Sequence, residues 1–294
     1  MATVADATGF TPGAISQQVA ALERAVGVRL VVRAGRRVLL TDAGRTLADR
    51  AGRLVAAEEE ALQSVRGADA EVAGRLHLGR FGGTAAALLP AVLEAVEERH
   101  PAFRLTSREL DVDDAAGAVR RGDVDVAFGL DYSSAPIPRS GDVQLVLLRT
   151  ERFGLVTADG ADRDPGALAE LADFADAAWV LPPAGTHYGE AIRSACRLAG
   201  FEPRAAHELL DIVATLTLAS RGAGLAPATP MMLGLVPGLP LRVVELAQQL
   251  RRDVVLVRRD ADAQRNKVAA VTATVRAVVQ ACPNTQPTPQ TGRP

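Results

Sequence analysis

The sequence predicts an α/β fold preceded by a small, basic helix-turn-helix head. From residue 74 onward, strand-like segments alternate with helix-like segments, which favours a mainly parallel sheet covered by helices on both faces. Residues 1–54 hold eight arginines and four acidic side chains, whereas the other 240 residues hold 25 basic and 31 acidic groups. This asymmetry indicates an anionic partner for the head alone, or a chance fluctuation in an arginine-rich chain.

Composition narrows the class of protein further. Of the 294 residues, 48% are hydrophobic and 23% are charged, which excludes a disordered chain and supports packed cores. No apolar run reaches the roughly 18 residues of a membrane span. No basic start followed by an apolar block is visible, so we do not expect a signal peptide. Two distant cysteines are typical of a reduced cytoplasm. The four histidines show no metal-ligand spacing, so we expect neither a metal nor a cofactor.

The head contains a predicted helix over residues 11–26. Thr11 is a good N-cap, Pro12 suits the first helical position, and Gly27 ends the helix. An apolar stripe recurs at helical spacing, formed by Ile15, Val19, Leu22 and Val26. A short helix over Val4–Thr8 before Gly9 completes the predicted helix-turn-helix.

Two β-prone runs, Val28–Val32 and Val38–Leu40, flank an arginine-rich turn and predict a two-stranded wing. Amide and hydroxyl side chains on the helix suit base edges, while arginines on the wing suit phosphates. The alternative is an ordinary amphipathic helix with a solvated polar face. The candidate DNA-binding residues are Thr11, Ser16, Gln17, Gln18, Arg33, Arg36, Arg37 and Thr41.

Thr41 is predicted to cap a longer helix, from about Asp42 to Arg66. A heptad seam runs along it, broken by Glu58, which favours pairing with a second copy of the chain. A helix lying on its own domain is the alternative.

The remaining elements follow in order. Strands are predicted near 75–81, 103–110, within 121–129, and near 151–157, 178–181, 204–208, 240–246 and 254–257. Helices are predicted near 84–99, 113–121, 166–172, 187–199, 211–220 and 262–281, with a loop over 131–142. The proline-rich tail, 283–294, is predicted to be disordered.

Residues 11–44 resemble the winged helix-turn-helix of LysR-type transcriptional regulators. The matching positions are Ala14, Ile15, Ser16, Val19, Leu22, Glu23, Gly27, Leu30, Arg33, Leu40, Thr41, Ala43 and Gly44. Thr11-Pro12-Gly13 and Val31-Val32 depart from the family pattern, so base preference does not transfer. The family's domain begins with a further helix; the resemblance implies that this helix is missing here, through a misassigned start or a real truncation.

The body resembles the same family's effector domain, at residues 120–127 and 221–227. The resemblance implies a two-lobed fold similar to type II periplasmic binding proteins. It divides the chain into a truncated head (1–44), a linker and dimerisation helix (45–73) and an effector-binding domain (74–282). Within that domain, lobe one is 74–148 and 249–282, and lobe two is 149–248.

The carboxyl ends of parallel strands and the N-termini of helices are where ligands bind in such sheets. Glycine turns, a capping threonine and strand-end acids fall at these places, and the resemblance locates an effector between the lobes. Each also has a purely structural interpretation, as a turn, a cap or a surface residue. The candidate effector-binding residues are Gly82, Gly83, Thr84, Asp111, Asp131, Gly185, Thr186 and His187.

The sequence therefore predicts a cytoplasmic LysR-type regulator that binds double-stranded promoter DNA and a small-molecule effector as a homodimer or homotetramer. A sensor module without DNA-binding activity is the first alternative. An α/β enzyme is the second, but no catalytic residue, nucleophile elbow or phosphate loop is present in the sequence.

Overall fold

The computed structural model describes residues 10–34, 37–48, 50–51, 73–139, 141–158, 168–263 and 265–281. The chain forms two compact units, Met1–Ala70 and Glu71–Pro294. Several predicted features lie outside the described residues. They are the helix Val4–Thr8, the wing residue Arg36, the part of the linker helix beyond residue 51, and the tail.

The first unit contains the predicted helix and wing. Helix α1 is Pro12–Val26; the Thr11 hydroxyl accepts a hydrogen bond from the Ala14 amide (3.2 Å), and Gly27 ends the helix at φ 73°. Strands β1 (Val31–Ala34) and β2 (Arg37–Leu40) pair antiparallel. The wing strands reach further towards the tip than predicted, and residues 28–30 precede them. Helix α2 covers residues 42–48 and 50–51.

The larger sheet of the second unit has five strands in the order β4-β3-β5-β12-β6. Its strands are β3 (Gly74–Arg80), β4 (Phe103–Glu109), β5 (Val126–Tyr132), β6 (Val143–Arg152) and β12 (Arg251–Arg259). Strand β3 is parallel to β4 and β5, whereas β12 is antiparallel to β5 and β6. Because β5 and β6 are both antiparallel to β12, four of the five strands run in the same direction, as predicted for a mainly parallel sheet, and β12 runs the other way. The sheet is mixed because β12 enters it from the other lobe and not through a βαβ crossover.

Four helices accompany this sheet: α3 (Gly82–Ala87), α4 (Leu89–Arg99), α5 (Ala115–Arg121) and α9 (Asn266–Ala281). A 3₁₀ turn, Val112–Asp114, precedes α5. The single helix predicted over 84–99 is in fact two, because Pro90 lacks the amide hydrogen that a continuous helix requires. Leu76, Leu78, Phe128, Val92 and Val271 are buried in the core between sheet and helices.

The second lobe has two smaller sheets. Strands β10 (Ala226–Ala228), β7 (Gly154–Ala158) and β11 (Leu241–Val244) pair antiparallel, and β8 (Ala178–Leu181) is parallel to β9 (Arg204–Glu208). The helices are α6 (His187–Leu198), α7 (Ile212–Ser220) and α8 (Pro230–Leu233). Trp179, Ile192 and Cys196 are buried in this lobe's own core.

The structure adds three elements that were not predicted and corrects one prediction. Strand β6 falls largely in a stretch for which no element was predicted, and the short elements β10 and α8 were not predicted either. Of the helix predicted near 166–172, residues 168–170 are not helical, and Ala169 forms a bridge to Leu246. The turn there is a 3₁₀ helix, Leu171–Phe174.

The next two observations concern membrane-spanning helices and metal sites. Within the described ranges, no helix combines the length and apolar character that crossing a membrane requires. Over the same residues, no cluster of three or more His, Cys, Asp or Glu side chains has the arrangement of a metal site.

Candidate functional site

Helix α1 presents a polar face to solvent. Ile15 is buried beneath the helix, whereas Ser16, Gln17 and Gln18 are exposed. The Ser16 hydroxyl donates to the Pro12 carbonyl (2.9 Å), and Thr11 is engaged as the N-cap. The two glutamine amides are therefore the groups on this face best suited to reach a base edge.

Glu23 connects α1 to the wing. One of its carboxylate oxygens accepts hydrogen bonds from the backbone amides of Leu30 (2.8 Å) and Val31 (3.1 Å). The amide of Val31, then that of Leu30, holds the pKa of this carboxyl below its ordinary value. The charged carboxylate thus fixes where β1 begins relative to the helix.

Thr41 and Gly44 close the other side of the wing. The Thr41 hydroxyl donates to the Arg29 carbonyl (2.8 Å) and accepts from the Gly44 amide (2.9 Å). A Cβ at Gly44 would lie 2.0 Å from the Leu30 carbonyl oxygen, so only glycine fits there. Arg33 and Arg37 belong to the wing strands, but their side chains lie outside the described residues, as does all of Arg36.

In the second unit, the carboxyl ends of β3 and β4 lie side by side. The Arg80 guanidinium pairs with the Glu109 carboxylate there, 3.0 Å apart. Gly82 is exposed and Gly83 half-buried, and open space surrounds the position of a Cβ at Gly82. Gly185 is exposed in the same way in the loop before α6. These glycines leave backbone accessible to a ligand.

Both candidate threonine hydroxyls are engaged locally. Thr84 is fully buried; its hydroxyl donates to the Phe81 carbonyl (3.0 Å) and accepts from the Phe81 amide (3.3 Å). The Thr186 hydroxyl donates to the Pro183 carbonyl (2.8 Å) and accepts from the Gly189 amide (3.0 Å). Each threonine therefore shapes the start of a helix.

The two strand-end aspartates hold their own loops. Asp111 accepts a hydrogen bond from the Asp113 amide (3.0 Å) and caps the 3₁₀ turn. Asp131 accepts from the Ile137 amide (2.8 Å) and pairs with Arg139 (2.5 Å). Both carboxylates thus organise the backbone where the sequence predicted ligand contacts.

A contact that the sequence did not reveal joins the lobes at the start of α6. The His187 amide donates to the Asp113 carboxylate (3.0 Å), whose other oxygen lies 3.4 Å from the His187 ring nitrogen Nδ1. The side chains of His187 and Asp113 are 29% and 27% exposed, so the pair is partly shielded from water. Of the predicted effector residues, His187 alone is brought against the opposite lobe by a contact seen among the described residues.

An aromatic cluster lies beside this contact. The rings of Tyr132 and Tyr188 stack across the lobes with centroids 5.8 Å apart, and Phe153 stacks on Tyr188 at 5.5 Å. The Tyr188 hydroxyl donates to the Pro227 carbonyl (2.8 Å). Sequence reasoning missed this stack. The chain has only two tyrosines, and their scarcity was the one feature of the sequence that could have drawn attention to them.

A buried ion pair supports the segments that cross between the lobes. Arg252, at the start of β12, binds Glu151, at the end of β6, at 2.7 Å; their side chains are 3% and 0% exposed. Arg252 and Glu151 both bond the Thr229 hydroxyl, and Glu151 also accepts from the Met231 amide (3.2 Å). This network ties both crossing strands to the start of α8.

Comparison with known proteins gives two family matches that together span most of the chain. Residues 69–280 match the family described as "LysR substrate binding domain". Residues 1–45 match the family described as "Bacterial regulatory helix-turn-helix protein, lysR family".

Individual relatives agree with these matches. An uncharacterised HTH-type transcriptional regulator, YfeR of Shigella flexneri, is 27% identical over 261 residues, 85% of this chain and 80% of its own. A probable hydrogen peroxide-inducible genes activator of Mycobacterium xenopi is 36% identical over 126 residues, 43% of this chain and 67% of its own. Among solved structures, full-length CbnR complexed with its target DNA shares the fold, with a TM-score of 0.64 at 22% identity, covering 94% of this chain and 93% of that one.

Proposed function

The chain belongs to the LysR family of transcriptional regulators, and on this premise we propose that its head binds promoter DNA under the control of a small molecule held between the lobes of its effector domain. One observation carries the DNA-binding part. Ser16, Gln17 and Gln18 are exposed on α1, while Glu23 of the same helix fixes the wing beside it. Contacts to bases and phosphates require a polar helix face and a wing whose positions relative to each other are fixed.

Control would operate by a shift between lobe arrangements. The lobes meet through the Asp113–His187 contact and the Tyr132–Tyr188 stack. An effector that binds one arrangement more tightly than another changes their populations, and in an oligomer this changes the spacing of the DNA-binding heads. The crossing strands around Arg252 and Glu151 are the natural hinge, because both lobes connect through them.

We assign the effector to the loops at the carboxyl ends of β3, β4, β5 and β8. Gly82, Gly83 and Gly185 would offer backbone amides, with Thr84, Asp111, Asp131, Thr186 and His187 shaping the walls. The domain bounds are those that the sequence predicts: head 1–44, linker 45–73, and effector domain 74–282. The regulator would act in the cytoplasm as a homodimer or homotetramer.

The name of the Mycobacterium xenopi relative, a probable hydrogen peroxide-inducible genes activator, suggests peroxide as a candidate signal. The environment of Cys196 argues against peroxide. Its side chain is fully buried, and burial raises the pKa of the thiol to about 12. Peroxide reacts with thiolates, so a buried protonated thiol is a poor sensor. We therefore propose an effector that binds without oxidising Cys196.

The test is a mobility-shift assay on the intergenic region upstream of the gene, with random DNA of equal length as the comparison. Wild-type protein is expected to prefer the intergenic region. Gln17→Ala should narrow that preference by roughly tenfold, since one amide–base contact contributes about 1–3 kcal/mol of discrimination.

Arg36→Ala serves as the matched control. It should weaken binding to both DNAs equally and reduce the salt slope by about 0.9, as the loss of one phosphate contact does. The proposal fails if wild-type protein shows no preference for any intergenic fragment. The division of roles fails if both variants reduce only intergenic binding.

A further inference from the structure

The first turn of α6 already has partners for two of its backbone amides. The Gly189 amide donates a hydrogen bond to the Thr186 hydroxyl (3.0 Å), and the His187 amide donates one to the Asp113 carboxylate (3.0 Å). The N-terminus of a helix favours an anion, because its amides point outward and its dipole is positive there. At α6, a side chain of the opposite lobe supplies that anion.

Asp113 is held in place for this contact. Its own amide is bonded by Asp111, which caps the turn Val112–Asp114. The next residue, Asp114, is bonded by Arg121 at 2.5 and 3.1 Å, which fixes the turn to α5. Of these three neighbouring acids, Asp113 alone reaches the other lobe through the contacts described.

A second anion at the same place would be opposed. It would compete with Asp113 for the His187 amide, and it would lie close to a carboxylate of like charge that is partly shielded from water. A neutral ligand, or one that donates hydrogen bonds, meets no such opposition and can use the carboxylates of Asp111 and Asp113 as acceptors.

We propose that Asp113 is a specificity-determining residue of the interlobe site. Its carboxylate occupies the anion position of α6, so the site rejects carboxylate effectors there and accepts neutral or hydrogen-bond-donating ones. This inference rests on the proposed function, because it concerns the effector of the same site.

The test uses sulfate as the probe and the backbone amide of His187 as the reporter. The chain has four histidines, so full-length protein labelled with ¹⁵N-histidine gives four backbone amide signals, and His187→Gln identifies the one from residue 187. Sodium sulfate is titrated against sodium chloride at constant ionic strength. In Asp113→Ala, sulfate should shift the His187 signal saturably, with an apparent affinity on the order of tenfold above wild type, as expected for one charge-assisted hydrogen bond.

Asp114→Asn is the matched control. It removes the same charge from the neighbouring residue, whose side chain pairs with Arg121 in its own lobe. It should respond to sulfate as wild type does. If Asp113→Ala does not fold, Asp113→Asn replaces it with the same expectation. A saturable shift of equal affinity in wild type, or none in either Asp113 variant, would overturn the proposal. No DNA is present, so the result is separate from that of the mobility-shift assay.

Discussion

Glu23 shows how one carboxylate positions a recognition surface. Its pKa is lowered by the amides of Val31 and Leu30, so its stabilising effect is present above the ordinary glutamate pKa of about 4.3 and is lost as the pH falls through the lowered folded value. The motif position that the family resemblance identified thus has a structural task, which is to anchor the wing.

Glu23→Gln is expected to lower the melting temperature of the first unit at pH 7. The difference from wild type should shrink as the pH falls through the lowered folded pKa of Glu23, because wild type then loses the same charge. Circular dichroism melts at several pH values test this. Asp42→Asn removes an exposed charge in the same unit and should have little effect. A Glu23→Gln deficit that does not change with pH would contradict the assignment.

Cys196 is expected to resist thiol reagents in the folded protein. With its pKa raised to about 12 by burial, almost none of it is thiolate at pH 8. Mass spectrometry after maleimide treatment should find Cys196 unmodified natively and fully modified in denaturant. A Cys282→Ser background removes the other cysteine. Labelling of Cys196 within minutes under native conditions would restore peroxide sensing as a candidate.

At the level of single residues, the sequence predicted local contacts, such as helix caps, better than it predicted contacts between residues far apart in the chain. Thr11 is an N-cap as predicted, and Thr186 is an N-cap too, which was the structural alternative to its assignment as an effector contact. The partner of His187 was not foreseen, because Asp113 lies 74 positions earlier in the chain and no local pattern links the two. Asp113 itself had been assigned only to the start of a helix.

At the level of elements, the crossing strands depend on the buried pair Arg252 and Glu151. Arg252→Met is expected to cost about 3–5 kcal/mol, because it leaves a buried carboxylate without its partner. Adding Glu151→Leu should recover only part of this loss, since it removes the unpaired carboxylate but leaves the Thr229 hydroxyl and the Met231 amide without the partners they have in wild type.

Urea unfolding followed by Trp179 fluorescence provides the measurement. Trp179 is the chain's one tryptophan and is fully buried in the second lobe. A double variant as unstable as Arg252→Met alone would show that the apolar replacement does not fit this hinge.

Periodicity located most elements of the effector domain, but it missed β6, β10 and α8 and did not indicate the direction of β12. Helices α6, α7 and α9 begin and end within a few residues of the predicted bounds, because each carries an apolar face and a recognisable start. Strand direction follows from where the chain re-enters a sheet, which no local pattern encodes; β12 is antiparallel for this reason. The break before Pro90 was readable from the sequence and was missed.

At the scale of the whole molecule, the two units have very different cores. The clusters of the second unit extend from Leu76 to Val279, whereas the described residues of the first unit bury only Ile15 and Leu30 among their hydrophobic side chains. The head is therefore expected to be the less stable unit.

Leu30→Ala should cost about 2–5 kcal/mol in the first unit and abolish DNA binding at 37 °C, while leaving the Trp179 unfolding midpoint unchanged. Leu216→Ala, at a fully buried position in α7, is the matched control and should lower that midpoint. Equal shifts of the midpoint in both variants would mean that the two units unfold together.

The stacked tyrosines make the lobe arrangement visible in ultraviolet absorbance. Burial raises the pKa of Tyr132 to about 12 and that of Tyr188 further still. Since these are the chain's only tyrosines, the protein with its lobes in contact should form little tyrosinate, and so absorb weakly near 295 nm, between pH 10 and 11, where a solvated phenol is half or more ionised. In that pH range, any event that exposes these two phenols to water would therefore appear as a rise in absorbance near 295 nm in the unlabelled protein.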